Sequence, residues 1–535
     1  MRRSGLVVAI IMLFVACAQV REITGGEKDS AGPALLSSDP PNYSTGFLGR
    51  RIELRFDERI RVERITDRLL VSPPLATPPA VRVAHGRDVI VELTSPLLAN
   101  TTYTFGFGEV IKDLTEGNAA SGVDLVVSTG DALDSLMIGG GVRHAFEGSP
   151  MKDVLVMLYD ADDTAAFRSA RPVYAARTDA NGGFALRHLR SGDYRIAALR
   201  DQNANYRYDL PNEEIAFASD VVSPAVEHDS TRSLIVLSLF QEVGAAQRIR
   251  EARVTVDGAL RVLLEHAART VALRDAERTG GTLQWTPEWN TTRDTLLLWP
   301  SDTVALSDGA FELTTDEGVL DTLRYRKRER TPFFTGLRTN QRDSEHGYQV
   351  LIEAARPIVS IDTSRFTLAN DDGPVRYKLA RDTTHQRRLV LTPELAPGSN
   401  AKLTILPKAV IDLFGGSNDT LRLSIGRAAD RSTGTLRIGL SARSAPAGPF
   451  LLDLLDAQGR VVRRTRLAEL GDPVKWERLA PGNHTLRLIA DTNDSGAWDP
   501  GAWTERKQPE QVWHHGETIN VRAAWDVVID WKLDP

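Results

Sequence analysis

Residues 51–56 read Arg-Ile-Glu-Leu-Arg-Phe, and this stretch alternates charged and apolar side chains. The alternation places Ile52, Leu54 and Phe56 on one face of an extended strand. The segments Val-Ile-Val-Glu-Leu (89–93) and Thr-Tyr-Thr-Phe-Gly-Phe (102–107) are also predicted to be strands, and turn-forming residues separate them. Short strands at this spacing over roughly 100 residues predict a β-sandwich.

The same patterning continues to the C-terminus. It predicts an all-β chain of tandem β-sandwich domains, with no long amphipathic helix after the N-terminal segment. Five regions are predicted, of which the third is the least defined by its sequence. They span residues 34–131, 134–240, 241–330, 331–428 and 431–535.

Two internal repeats sort these regions into two types. Leu-Thr-Ser-Pro-Leu-Leu-Ala-Asn-Thr-Thr-Tyr-Thr-Phe (93–105) aligns without a gap on Leu-Thr-Pro-Glu-Leu-Ala-Pro-Gly-Ser-Asn-Ala-Lys-Leu (391–403). Gly-Asp-Tyr-Arg-Ile-Ala-Ala-Leu-Arg-Asp (192–201) aligns on Gly-Asn-His-Thr-Leu-Arg-Leu-Ile-Ala-Asp (482–491). We therefore expect the fourth region to repeat the first and the fifth to repeat the second.

The N-terminus has the order of an export signal. Arg2 and Arg3 precede an unbroken apolar run of eleven residues, 6–16, which ends at the single cysteine of the chain. Eleven helical residues span roughly 16 Å, about half of a bilayer core, so this run is too short to cross a membrane. Residues 1–16 are therefore predicted to be a cleaved signal peptide.

The end of this signal resembles that of a bacterial lipoprotein, although Phe14 stands where such signals usually have leucine. The resemblance implies that Cys17 becomes the first residue of the mature chain and carries a lipid. Residues 17–33 contain paired glycines and a Gly-Pro step, and they are predicted to be a flexible linker. The alternative is an ordinary secretory signal that contains a cysteine.

Composition limits the classes of partner. The 65 Lys and Arg residues against 71 Asp and Glu give a net charge of −6, which argues against nucleic acid. A single cysteine excludes intrachain disulfides and zinc sites built from cysteine. With the lipid, the membrane becomes a partner of the chain, and an envelope glycan or protein could be a further one.

Several phrases are similar to an exported lipoprotein family of Bacteroidetes-type bacteria. They are Thr-Gly-Gly-Glu-Lys-Asp (24–29), Ile-Glu-Leu-Arg-Phe-Asp-Glu (52–58), Ile-Lys-Asp-Leu-Thr-Glu-Gly-Asn (111–118) and Asn-Glu-Glu-Ile-Ala-Phe (212–217). The N-terminal domain of that family is the bacterial Ig-like domain first described in S-layer proteins (the SbsA type). The resemblance covers residues 17–220 and implies architecture and an outer-membrane location, facing the periplasm or the cell surface, but no reaction.

The second region resembles a different module. Asp-Ala-Asn-Gly-Gly-Phe (179–184) and Leu-Arg-Ser-Gly-Asp-Tyr-Arg-Ile (189–196) are similar to the carboxypeptidase-regulatory or transthyretin-like (prealbumin-like) sandwich. This resemblance implies a small seven-stranded module, which occurs in many exported proteins.

Oxygen-bearing side chains recur at one spacing after both copies of the second repeat. They are Asp201, Asn203, Asn205, Asp209 and Asp491, Asn493, Ser495, Asp499. Ca²⁺ takes six to eight oxygen ligands, and a loop with alternating Asp and Asn can supply them. Neither copy pairs a glycine at the sixth loop position with a glutamate at the twelfth, as an EF-hand does. The alternative is a network of Asx turns that closes a long hairpin without a metal.

Tryptophans cluster in the last region. Trp498 and Trp503 could form a platform on which a sugar or peptide stacks, or Trp498 could cover the edge of the sandwich; Trp525 and Trp531 lie in an apparent strand and fit a buried or half-buried position. The chain lacks the motifs of Ser hydrolases, zinc proteases and P-loop enzymes.

These features support one main hypothesis of function and one alternative. The first is a non-enzymatic, lipid-anchored envelope protein that forms a structural or binding rod of tandem sandwiches. The alternative is a carbohydrate- or peptide-binding accessory lipoprotein of a surface uptake system. An enzyme with an unrecognised site is a third hypothesis, for which no residues stand out.

Overall fold

A computed structural model describes most of the chain from Asp29 onwards. The described residues are 29–63, 65–163, 166–226, 234–243, 247–275, 285–290, 293–300, 309–315, 318–325, 336–344, 347–443 and 448–533. The predicted signal and Cys17 lie outside them. Among the described residues no helix is long and apolar enough to cross a membrane.

Sandwich 1 is the first of five groups of strands. Its sheets have the orders β1-β2-β6-β5, β3-β8 and β4-β7-β9. Ile52, Leu54 and Phe56 are fully buried, as the alternation of residues 51–56 predicts. The elements are β1 (Leu35–Asp39), β2 (Arg51–Phe56), β3 (Ile60–Val62), α1 (Ile65–Arg68), β4 (Leu70–Ser72), β5 (Ala80–Ala84), β6 (Asp88–Glu92), β7 (Thr102–Gly106), β8 (Ile111–Asp113) and β9 (Asp124–Ser128).

Sandwich 2 joins its strands in the order β12-β11-β14-β15-β17-β10-β13, with β16 added beside β10. Strand β10 pairs with β17 in parallel, and the other pairs are antiparallel. The elements are β10 (Leu136–His144), β11 (Leu155–Asp160), α2 (Ala166–Ser169), β12 (Tyr174–Arg177), β13 (Gly183–Leu189), β14 (Tyr194–Leu199), β15 (Glu214–Phe217), β16 (Ala225–Val226) and β17 (Ile235–Gln241).

Sandwich 3 has two sheets, of the orders β18-β19-β22-β21 and β20-β23-β24. Its core includes Leu260, Leu298, Phe311 and Tyr325. The elements are β18 (Ile249–Val254), β19 (Leu260–Leu264), β20 (Val271–Asp275), β21 (Trp285–Trp289), β22 (Thr295–Pro300), β23 (Gly309–Thr315) and β24 (Gly318–Tyr325).

Sandwich 4 has sheets of the orders β25-β26-β31-β30, β27-β33 and β29-β28-β32-β34, which correspond to the three sheets of sandwich 1. The elements are β25 (Arg338–Ser344), β26 (Gly347–Glu353), β27 (Ile358–Ile361), a 3₁₀ turn (Thr363–Arg365), β28 (Phe366–Asn370), β29 (Gly373–Pro374), β30 (Tyr377–Arg381), β31 (Arg388–Pro393), β32 (Asn400–Ile405), β33 (Val410–Asp412) and β34 (Leu421–Gly426).

Sandwich 5 has sheets of the orders β38-β35-β42 and β37-β36-β39-β40, with β41 beside β39. Its first and last strands, β35 and β42, pair in parallel as β10 and β17 do in sandwich 2. The elements are a 3₁₀ turn (Asp430–Ser432), β35 (Gly434–Ala442), β36 (Phe450–Asp456), β37 (Val461–Leu467), β38 (Val474–Leu479), β39 (Gly482–Ala490), β40 (Val512–His514), β41 (Ile519–Val521) and β42 (Asp526–Leu533).

The all-β tandem-sandwich fold is confirmed, but the expectation of a simple rod is wrong. Sandwich 5 folds back against sandwich 2 instead of lying at the far end of a string. The backbone N–H of Trp503 donates to Glu242 at 2.9 Å, and His514 Nε2 lies 2.8 Å from the carbonyl oxygen of Phe146. The guanidinium of Arg487 stacks over the Phe146 ring at 4.5 Å.

Candidate functional site

Two loops carry the eight predicted metal ligands. Loop A, residues 200–213, connects β14 to β15, and loop B, residues 491–511, connects β39 to β40. Strands β14 and β39 occupy matching positions beside β11 and β36. The two loops therefore leave equivalent points of the two repeated sandwiches.

In loop A the first aspartate organises the backbone. The carboxylate of Asp201 accepts the N–H groups of Asn205 and Tyr206 at 3.3 and 2.8 Å. The side-chain amides of Asn203 and Asn205 donate to the carboxylate of Asp209 at 3.1 and 2.7 Å. This is the Asx-turn network that the sequence left open as the alternative to a metal.

Loop B repeats this network. The buried carboxylate of Asp491 accepts the N–H groups of Ser495 and Gly496 at 2.7 and 3.0 Å. The Asn493 amide and the Ser495 hydroxyl both donate to Asp499, each at 2.8 Å. The structure thus brings each set of four predicted residues together, and in both sets they bond to one another.

Each loop also uses a buried glutamate that was not among the predicted site residues. Glu213 accepts the N–H groups of Gln202, Asp209 and Leu210 at 3.0–3.2 Å. In loop B, Glu510 accepts the N–H groups of Thr492 and Asp499 at 2.8 and 3.0 Å. Glu213 follows Asp209 by four residues, whereas Glu510 follows Asp499 by eleven, so a search at fixed spacing does not align them.

The two loops differ in how well their carboxylates could bind a cation. Asp491, Asp499 and Glu510 bring one carboxylate oxygen each within 4.8 Å of one another, whereas no such triad forms in loop A among the described residues. Burial raises the pKa of Glu510, and the negative charge of Asp499 adds to this rise. Carboxylate oxygens suit Ca²⁺. Calcium binding stays a prediction, and the geometry directs it to loop B.

The predicted stacking platform is part of an internal contact. Trp503 is only 8% exposed, and its ring packs edge-on against Phe167 and Phe217 at centroid distances of 4.8 and 5.0 Å. The guanidinium of Arg506 lies 3.5 Å from the centre of the same ring. A ring covered in this way cannot stack on a sugar, so the structure corrects this interpretation of Trp503.

Trp498 is half-buried in the same contact. Its ring lies 5.2 Å from that of Phe146 in sandwich 2, and its indole N–H donates to the carbonyl oxygen of Glu510 at 2.9 Å. The tryptophans of loop B thus hold sandwich 5 on sandwich 2. Ligand binding by Trp498 stays a prediction.

Loops A and B meet at Glu242, just after β17. One oxygen of its carboxylate accepts the hydroxyl of Tyr208 from loop A at 2.6 Å, and the other accepts the N–H of Trp503 from loop B at 2.9 Å. Arg168 adds an ion pair at 3.3 Å. Burial and the bond to Glu242 raise the pKa of the Tyr208 phenol. One carboxylate therefore ties both loops to the same surface.

Comparisons with known proteins agree with the N-terminal fold. Residues 29–129 match a family model described as a bacterial Ig-like domain. No curated protein matches the chain.

Solved structures of surface proteins are similar over most of the chain, at low identity. The major pilin subunit of Bacillus cereus is 11% identical over 74% of this chain and 98% of the pilin, with a TM-score of 0.14. The BSP domain of a biofilm-associated protein is 9% identical over 93% and 95%, with a TM-score of 0.17.

A third structure is SGBP-B of the mixed-linkage glucan utilization locus of Bacteroides ovatus, in complex with a mixed-linkage heptasaccharide. It is 9% identical over 73% of this chain and 95% of that protein, with a TM-score of 0.17.

Proposed function

We propose that the chain is a non-enzymatic, lipid-anchored cell-envelope protein, a folded-back scaffold of β-sandwiches held at the outer membrane and facing the periplasm or the cell surface. The observation that carries this proposal is the bacterial Ig-like domain at residues 29–129, placed directly after the lipoprotein-like N-terminus. A second group of strands, whose sheets correspond to those of sandwich 1 apart from the additional strand β29, supports a role in architecture.

The use of buried charge also supports a structural role. Asp113 and Asp412 occupy equivalent places in sandwiches 1 and 4, and each accepts backbone N–H groups of the turn that follows it. Asp453, which is fully buried, forms ion pairs with Arg464 and Arg487 at 2.6 and 2.8 Å. These carboxylates close turns and pair with arginines, so each is satisfied by partners within the fold and none is exposed as a reacting group.

The anchor is testable by metabolic labelling with an alkyne fatty acid in the cells that make the protein. The full chain should take up the label, and Cys17→Ser should not. A labelled Cys17→Ser chain, or an unlabelled wild-type chain that is exported, would contradict the proposed anchor. Protease treatment of intact cells then distinguishes the two faces of the membrane, because only a chain on the cell surface is cleaved.

A further inference from the structure

A cavity of about 350 Å³ opens where sandwich 1 meets loop A of sandwich 2. Its walls from sandwich 1 are apolar: Ile65, Leu69, Val71, Leu75, Pro78 and Val81 line it. The opposite side consists of residues 204–207 of loop A together with Arg171. A volume near the lower end of the usual range for ligand pockets, with an apolar wall on one side and polar groups on the other, suits a small amphipathic ligand.

Tyr206 is placed in this wall at a conformational cost. Its backbone has φ of 64°, in the left-handed region that side chains other than glycine rarely adopt. The equivalent position of loop B is Gly496, with φ of 79°, so the two loops share the backbone shape and only loop A adds a side chain there. Strain of this kind is found at functional sites more than elsewhere. The phenol ring that loop A gains lines the cavity.

The charge at the cavity mouth is positive. Arg171 and Arg207 line it, and no carboxylate does among the described residues. Arg171 donates a hydrogen bond to the carbonyl oxygen of Leu75, which connects the two walls. The Arg207 side chain is exposed, and no ion pair to it forms within the described part of the chain. An apolar well with a free guanidinium at its entrance complements a ligand with an apolar body and one anionic head.

We propose that this cavity binds a single-chain amphipathic carboxylate, a molecule of the fatty-acid class. Its aliphatic chain lies between the Leu69–Leu75 wall and the ring of Tyr206, and its carboxylate faces Arg207 at the entrance. The size of the well fits one short acyl chain and not the two chains of a membrane lipid. The site does not hold the lipid on Cys17. It gives the proposed scaffold a ligand-binding role of its own.

The test is calorimetric titration of the full chain bearing Cys17→Ser, which needs no detergent, with decanoate. Saturable binding with one site per chain is expected. Acetate, which has the charge without the chain, and decyltrimethylammonium, which has the chain with the opposite charge, should give no saturable heat. Arg207→Gln should weaken decanoate binding about tenfold, the effect of losing one charge-assisted contact.

Arg82→Gln is the matched control. Arg82 follows Val81 and is also exposed, but it forms an ion pair with Glu92 at 3.4 Å and does not line the cavity. Decanoate affinity should not change in this variant. Tyr206→Gly should also weaken decanoate binding, because it removes the ring that lines the cavity.

Three results would overturn the proposal. They are the absence of saturable decanoate binding, equal affinity for decanoate and decyltrimethylammonium, and equal affinity of the Arg207→Gln and Arg82→Gln variants for decanoate. None of them affects the anchor or the scaffold, which the labelling of Cys17 tests separately.

Discussion

Loops A and B share the same backbone hydrogen-bond network, but their aromatic side chains contact different parts of the molecule. Both fold around an aspartate that accepts two backbone N–H groups four and five residues later, and both are closed by a buried glutamate. Loop A turns its aromatic side chains towards sandwich 1 and its own sandwich. Loop B has an insertion that carries Trp503 into the surface of sandwich 2. A repeated module thus acquires a new contact by lengthening one loop while its turn network stays intact.

The insertion in loop B should account for most of the energy of the contact between sandwiches 2 and 5. Trp503→Ala removes a buried indole and leaves a cavity beside Phe167 and Phe217, which should cost about 3 kcal/mol of the free energy of unfolding. Chemical denaturation followed by tryptophan fluorescence measures it. Trp525→Ala, at a ring that is 60% exposed, is the control and should cost less than about 0.5 kcal/mol. Equal losses in the two variants would refute this role of Trp503.

The second largest effect is that calcium should stabilise the protein through loop B and not through loop A. Only loop B brings three carboxylates together in the described structure, so millimolar Ca²⁺ should stabilise sandwich 5 by about 1.4 kcal/mol if its concentration is ten times Kd. Thermal melting with and without chelator measures the shift. Asp499→Asn should abolish it and Asp209→Asn should not. Identical melting curves with chelator and with Ca²⁺ would show that both loops are purely hydrogen-bonded turns.

The pH dependence of this effect follows from Glu510. Because burial raises the pKa of its carboxyl above the unfolded value, the folded protein binds the proton more tightly than the unfolded chain does. Without calcium, stability should therefore fall as pH rises from the unfolded pKa through the raised one, and Glu510→Gln should flatten this slope. Bound calcium acts in the opposite direction, because the cation needs the ionised carboxylate and so favours the deprotonated form of Glu510. The stabilisation by Ca²⁺ should thus grow with pH over the same window.

The smallest predicted change in stability tests the left-handed backbone conformation that loops A and B share. Gly496 has φ of 79° and nothing within 4 Å of an added Cβ, so Gly496→Ala should cost about 1 kcal/mol through the backbone alone. Gly516→Ala is the control, since that glycine is equally open and lies outside the left-handed region. Its stability should be unchanged or slightly higher. If both variants have the same stability, the strain attributed to Tyr206 at the equivalent position of loop A loses its basis.

The sequence predicts local structure well because local structure depends on nearest neighbours. Alternation of apolar residues marks β2, and the Asp and Asn spacing marks both loops. The third region is the least defined by its sequence, and its local pattern does not specify strand β20. Here the pairing with β23, which begins 38 residues after β20 does, decides the structure.

The fold-back could not be predicted for a related reason. The hydrogen bond between Trp503 and Glu242 joins residues 261 positions apart, and neither residue differs in its local pattern from an ordinary turn residue. The cavity beside Tyr206 depends likewise on how two sandwiches meet. The two internal repeats show which modules exist, while the contacts between modules depend on a few side chains in loops of unequal length.

Small-angle X-ray scattering of the full chain bearing Cys17→Ser tests the folded-back scaffold most directly. The folded-back arrangement predicts a distance distribution that matches the structure, with sandwich 5 against sandwich 2, and a longer maximum dimension in the Trp503→Ala variant. A wild-type distribution with the long tail of five sandwiches in a row, unchanged by Trp503→Ala, would contradict it.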